Sequence, residues 1–314
     1  MSSIKFIKQR IRSTKNTSQI TKAMEVVSAT KMRKSQGFAL AARPFAAASL
    51  QMLENLLART TILPPLLQAR PVEKSALLVI TSDKGLAGAF NANVLRAAEE
   101  QINSRKNAAR RKKISLITVG KKAKEYFERR NISIARSFWG FGDYSTLEQT
   151  LPVAESMLNG FSLGEFDEVE AVYTNFKTTL LQETVLKKLL PVTKEGIHEA
   201  VESILPKHGR FANQRESASG VRVNPRYEYE YKFEPSPTEI LELLIPQLLR
   251  MHVHHLILES NASEHSARMV AMKNASDNAK ELISDLTLEY NKARQAGITR
   301  ELIEITAGRE ALEH

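Results

Sequence analysis

A seven-residue apolar repeat near the C-terminus constrains this chain more than any other feature. From Leu244 the positions advance by four and three through Leu248, Met251, His255, Leu258, Ala262, His265, Met269, Met272, Ser276, Ala279, Ile283, Leu286 and Tyr290 to Ala293. Only His255, His265 and Ser276 interrupt the apolar pattern. A sustained repeat of 3.5 residues specifies a left-handed coiled coil. The start is also written locally. Ser236 is a good N-cap, Pro237 a good first helical residue, and Glu239 sits in the first turn near the positive end of the dipole. A helix from Pro235 to Ala307 is a rod of roughly 100 Å at the usual rise per residue. It cannot bury its stripe alone, so another stretch of chain must cover it.

The N-terminus supplies that partner. Ile20, Met24, Val27, Lys31, Lys34, Phe38, Ala41, Phe45, Ala48 and Met52 follow the same spacing. Ile4, Ile7 and Ile11 are out of phase with them, which predicts a local skip. The helix is expected to end near Ala58, with a bend at Pro44. The two helices lie at opposite ends of the sequence. If the region between them sits at one end of the rod, they run antiparallel. No acid precedes Glu25, so the basic, hydroxyl-rich start also reads as a transit peptide.

Between the helices the period changes. Residues 59–73, with Pro64, Pro65 and Pro71, read as a linker. Strands are predicted at 76–80, 114–119, 132–138 and 169–176, and helices at 91–106, 121–130 and 146–158. That alternation argues a small parallel α/β sheet. Leu180 to Leu190 fits strand or helix. Residues 192–225 are polar and read as a mobile insertion, and Tyr227 to Phe233 as a short returning strand. The expected domains are therefore a coiled-coil helix at 1–58, the linker, an α/β foot at 74–234, a second coiled-coil helix at 235–307 and a tail at 308–314.

Chemistry is sparse. The turn Ser82 to Asn91 joins the first strand to the first helix, where a phosphate loop would sit. Gly85 and Gly88 complete neither G-x-G-x-x-G nor G-x-x-x-x-G-K-[ST], and Gly120-Lys121-Lys122 lacks the Ser or Thr. These glycines read as aids to tight strand-to-helix packing. His252, His254, His255 and His265 do not repeat at i and i+4, and Glu259 reads as lying off the His255 line, so no metal site is expected. On the seam, His255 and His265 would set register. No nucleophile–base or paired-carboxylate arrangement is defensible, and no cofactor is expected. There is no cysteine, which excludes disulfides and thiol chemistry, and no apolar run long enough to span a bilayer. A net charge of +10 suits nucleic acid, an acidic protein surface or anionic lipid. Aromatics at 6 % argue against a base-stacking platform.

Four stretches resemble the gamma subunit family of F-type ATP synthase: Ile7 to Val27 (IKQRIRSTKNTSQITKAMEVV), Thr81 to Asn91 (TSDKGLAGAFN), Phe233 to Pro237 (FEPSP) with Ser263 to Asn278 (SEHSARMVAMKNASDN), and Tyr290 to Gly308 (YNKARQAGITRELIEITAG). The resemblance spans nearly the whole chain. It implies an antiparallel coiled coil of the terminal helices on a Rossmann-like α/β foot. The coil would stand inside a ring of alternating alpha and beta subunits, and the foot would bind the epsilon subunit and the c-subunit ring. The role implied is a non-catalytic central-stalk rotor coupling proton flow to ATP synthesis. Members of the family begin in this way, which removes the transit-peptide reading. The place implied is the cytoplasmic face of a bacterial inner membrane, with peripheral association. By resemblance, Arg294 and Gln295 meet a catch loop of a beta subunit, with Met24 on the partner helix at matching height. Arg268 and Met269 also bind partners, and Tyr231 and Phe233 lie near the c ring.

Two other readings compete. A nucleotide-binding α/β enzyme with a coiled-coil arm needs a phosphate loop that is missing. A basic coiled-coil protein of nucleic acid needs a free basic stripe. The chain also departs from the family: Arg309 and Glu310 follow Gly308 where small residues are usual, and Gly297 sits where a better helix former is expected.

Overall fold

The computed structural model describes residues 4–41, 52, 53, 56, 60, 63–107, 113–193 and 233–310. Their elements are α1 (Ile4–Ala41), a 3-10 turn at Pro65–Leu67, β1 (Lys74–Ile80), α2 (Phe90–Asn107), β2 (Lys113–Val119), α3 (Lys121–Arg129), β3 (Ile134–Phe138), α4 (Leu147–Ser162), β4 (Glu168–Phe176), β5 (Gln182–Leu190) and α5 (Pro237–Glu310). The bend at Pro44, the end of the first helix near Ala58, the insertion at 192–225 (beyond residue 193) and the strand at Tyr227 to Phe233 (before residue 233) lie outside the described residues. The chain forms two compact units: residues 1–28 with 268–314, and residues 29–267.

The larger unit is an α/β body with strand order β3-β2-β1-β4-β5. β1 pairs in parallel with β2 and β4, and β2 with β3, whereas β5 runs antiparallel to β4. The sheet is therefore mixed, and not parallel throughout as its alternating elements predict. The reason is local. Only residues 177–181 join β4 to β5, too few for the crossover that a parallel neighbour requires. The ambiguous stretch at 180–190 is this edge strand.

Ala76 to Ile80 are buried without a break, as expected of a central strand covered on both faces. Leu77, Val79, Leu116 and Val172 face α2 and α3, packing on Val94, Leu95 and Phe127. Leu78, Ile80, Ile117 and Tyr173 face α4 and the first half of α5, packing on Met157, Phe161, Val253 and Leu256. Thr146 caps α4 in a capping box with Gln149. Ser236 caps α5: its hydroxyl accepts from Glu239 N and donates to the Glu239 carboxylate.

The smaller unit is an antiparallel pair. Ile4 lies against Gly297, and the Ser18 and Ser276 hydroxyls each reach toward the other's carbonyl at 3.5 and 3.4 Å. On α5 the predicted seam holds here, with Met272, Ser276, Ala279 and Leu286 buried. On α1 it does not. Ile20 and Val27 are exposed, whereas Ile7, Thr21 and Ser28 are buried and Ile11, Thr14 and Ser18 half-buried. The Ile4, Ile7, Ile11 stripe therefore continues unbroken, without the predicted skip. Small hydroxyl side chains fill the seam, each able to satisfy itself on its own helix, as Thr21 does on the carbonyls of Thr17 and Ser18. The larger Ile20 and Val27 point away.

Candidate functional site

The first candidate is the crevice at the C-terminal ends of β1 and β2, beside the point where the sheet order reverses. Ligands of open α/β sheets bind in such places. Here the chain fills the position itself. One carboxylate oxygen of Asp83 accepts from Lys121 N (3.0 Å) at the start of α3, and the other from Gly140 N (2.9 Å). A phosphate would take those donors in a nucleotide site. Ser82 and Asn91 close the turn by exchanging hydrogen bonds. Gly120, at φ +92°, is the glycine that close packing requires, because a Cβ there would run into the Thr81 carbonyl. Gly85 has open space around its Cα, so the packing role predicted for it falls to Gly120. Asp83, Asp143 and Glu264 line the crevice with a single cation, Lys84, a balance that disfavours a further anion.

The second candidate is the coil surface. Arg294 and Gln295 are exposed, Met24 and Met269 half-buried, and Arg268 is buried. Phe233 packs against Leu53, Leu56, Leu241 and Ile245. Tyr231 lies outside the described residues. The register corrects one expectation. With Ile4 opposite Gly297 and Ser18 opposite Ser276, Met24 stands level with residues around 270. It therefore lies roughly 36 Å along the coil from Arg294, at about 1.5 Å per residue, and not at matching height. The structure instead brings Met24 level with Arg268 and Met269. Antiparallel order alone fixes direction and leaves the offset open.

Sequence reasoning missed the outward apolar set. From Ile298 to Arg309 every side chain is exposed, including Leu302 (58 %), Ile303 (61 %) and Ile305 (69 %). On α1, Ile20 and Val27 add to it. An exposed apolar cluster such as the one at Leu302, Ile303 and Ile305 marks a candidate site of association. The signal in the sequence was the absence of a matching seam beyond Ala293.

The histidines also differ from expectation. Glu259 does face His255, with Oε1 3.3 Å from Nε2, because residues four apart share a helix face. His265 Nε2 is 3.8 Å from Asp143, whose other oxygen accepts from Lys31 at 2.6 Å. Burial opposes ionisation of Asp143, but the Lys31 ammonium outweighs it and holds the carboxyl below its usual range. Among the described residues, no three His, Asp or Glu side chains are grouped so as to hold a metal. No described helix is long and apolar enough to cross a membrane.

An α/β body with an antiparallel pair of terminal helices is the fold class these elements define. A family model described as ATP synthase matches residues 3–312. The "ATP synthase gamma chain" of Roseiflexus castenholzii is 41 % identical, covering 99 % of each chain. That of Chloroflexus aurantiacus is also 41 % identical over 99 % of each. That of Gloeothece citriformis is 39 % identical over 99 % of this chain and 100 % of its own. The chain belongs to the ATP synthase gamma chain family. Two solved structures share the fold. A chain of the Euglena gracilis mitochondrial ATP synthase OSCP/F1/c-ring structure is 20 % identical with a TM-score of 0.62, covering 98 % of this chain and 94 % of that one. One from the Tetrahymena thermophila mitochondrial ATP synthase central stalk/c-ring structure is 23 % identical with a TM-score of 0.55, covering 82 % and 99 %.

Proposed function

We propose that this chain is the central-stalk rotor subunit of a proton-translocating F-type ATP synthase. It transmits rotation of a c-subunit ring to a catalytic hexamer of alpha and beta subunits. The observation that carries this reading is the exposed apolar tip of α5 in a chain of this family. Leu302, Ile303 and Ile305 need an apolar surface that the described chain does not supply. The interior of a subunit ring is such a surface, and the basic balance of the chain suits acidic loops on it. Arg294, Gln295 and Met24 are the proposed contacts with that ring, at two heights, with Arg268 and Met269 level with Met24. Tyr231 and Phe233 are the proposed contacts near the c ring, beside the epsilon subunit.

The chain itself is non-catalytic in this reading. Asp83 occupies the anion position of the α/β crevice, so the nucleotide chemistry belongs to the partner subunits. The assembly associates peripherally with the cytoplasmic face of a bacterial inner membrane through those partners. Purification through a tag on this chain tests the proposal. We expect nucleotide-binding subunits in excess over the tagged chain, together with a small membrane-embedded ring subunit. Recovery of the chain with nucleic acid, or with neither class of subunit, would overturn it.

A further inference from the structure

Residues 250–259 of α5 present an unusual density of ionisable groups to the sheet. His255 and Glu259 are buried at 3 % and 7 % exposure, together with Tyr173 of β4 and Lys187 of β5. His252 Nε2, both ring nitrogens of His255 and Glu259 Oε2 are shut off from solvent without a hydrogen bond. His254 Nδ1 stands 3.1 Å from the Thr150 hydroxyl of α4. That hydroxyl donates its one proton to the Leu147 carbonyl, so Nδ1 carries the hydrogen and donates to it. His254 is thereby placed as a neutral ring whose further protonation nothing nearby rewards.

We propose that His252 and His254 form a proton-sensitive catch, which holds this segment on α4, β4 and β5 while both rings are neutral and loosens it when they are charged. Among the described residues, most acidic groups around them are already taken by other partners. On α4, Glu155 is taken by Arg250 at 2.6 Å. From β4, Tyr173 donates to Glu259, which raises its own hydroxyl above the usual range, burial being the larger cause. Glu259 Oε1 stands 3.3 Å from His255 Nε2, without a hydrogen bond between them. From β5 comes a cation, Lys187, which repels a second one. Further along, Asp143 is paired with Lys31.

Burial, and then Lys187 and His255, hold His252 well below the ordinary imidazole range. Burial, and then His255, push His254 down to about 4. The direction of the effect follows. A loosened segment exposes both rings, which take up protons near a pH of about 6.5. Above that, the catch is fully closed. Below it, opening is favoured about tenfold per histidine for each pH unit, until the folded value is reached. The opposite face of the sheet is an internal control, because residues 90–130 contain no histidine.

Hydrogen exchange on the full-length chain tests this at about pH 7.5 and about pH 5.5, corrected for intrinsic rates. We expect protection at 182–190 and 250–262 to fall at least about tenfold at the lower pH, with 90–107 and 121–129 unchanged. The double variant His252→Phe/His254→Phe keeps two rings that cannot titrate and should lose the response. An unchanged wild-type pattern, or an undiminished response in the variant, would overturn the proposal. Should the variant not fold, imidazole resonances of the wild type decide it. Rings titrating near about 6.5 in the intact fold would overturn the catch, and rings silent until the segment opens would support it.

Discussion

The two halves of α5 are one continuous helix with one repeat, yet they are buried in different ways. Over Val253 to Ser260, seven of eight residues are buried, because sheet and helices pack around that segment. Over Ile298 to Arg309, none is. Over Met269 to Gly297, Met272, Ser276, Ala279 and Leu286 alone are deeply buried, the narrow stripe of a two-helix seam. The lesson is that a heptad records which residues share a face. How much of the remaining surface is covered depends on what else the chain brings there. Where little is brought, apolar residues such as Leu302 and Ile305 stay exposed and contribute little to the fold.

The largest effect should come from charge placed in the first half. Leu256→Asp buries a carboxylate in the core on the α4 face and should cost about 3–5 kcal/mol. Denaturant unfolding of the isolated chain checks this. Ile303→Asp is the matching change in the exposed half. It should leave that midpoint within about 0.5 kcal/mol while lowering recovery in the assembled complex. Equal losses of stability would erase the contrast between the two halves.

Asp83→Ala comes next. It removes the acceptor shared by Lys121 N and Gly140 N and should cost about 1–3 kcal/mol. Asp83→Asn keeps an oxygen for one of them and should recover part of the loss. A thermal or denaturant midpoint unmoved by either change would show that the crevice is not organised around this carboxylate.

Met24→Lys places a cation level with Arg268, in the stretch where Thr21 and Ser28 are buried. We expect the complex to assemble and hydrolyse ATP while pumping fewer protons per ATP. A double-mutant cycle with Arg268→Leu should show a coupling of about 0.5–3 kcal/mol. Subunit stoichiometry measured beside pumping separates the outcomes. Loss of this chain in proportion to lost pumping would leave Met24 a packing residue only.

The smallest effect should be a gain. Gly297 lies within α5, and a Cβ there would meet Ile4 Cδ1 at 3.5 Å, an ordinary contact. Gly297→Ala should therefore stabilise the chain by about 1 kcal/mol. A destabilised variant would mean that Ile4 cannot give way and that the coil is packed more tightly at its end than this spacing indicates.

Local physics made much of the molecule legible in advance. Ser236, Pro237 and Glu239 fix where α5 begins because a cap needs only residues within one turn. Short, largely apolar runs against a 3.6-residue period separate β1 and β2 from α2 and α3, because each element's pattern lies within its own few residues. The incomplete glycine motifs at 82–91 and 120–122 are likewise local facts. The fold decided what depends on residues far apart in sequence. It chose Thr21 and Ser28 over Ile20 and Val27 as the α1 seam, because hydropathy rewards the larger side chain while close helix approach favours the smaller. It turned β5 antiparallel through the length of one connection. It set Met24 level with residues around 270, because the offset of an antiparallel pair follows from packing along both helices. It placed Asp83 at the start of α3, since a carboxylate acts as an anchor only where distant backbone donors converge on it.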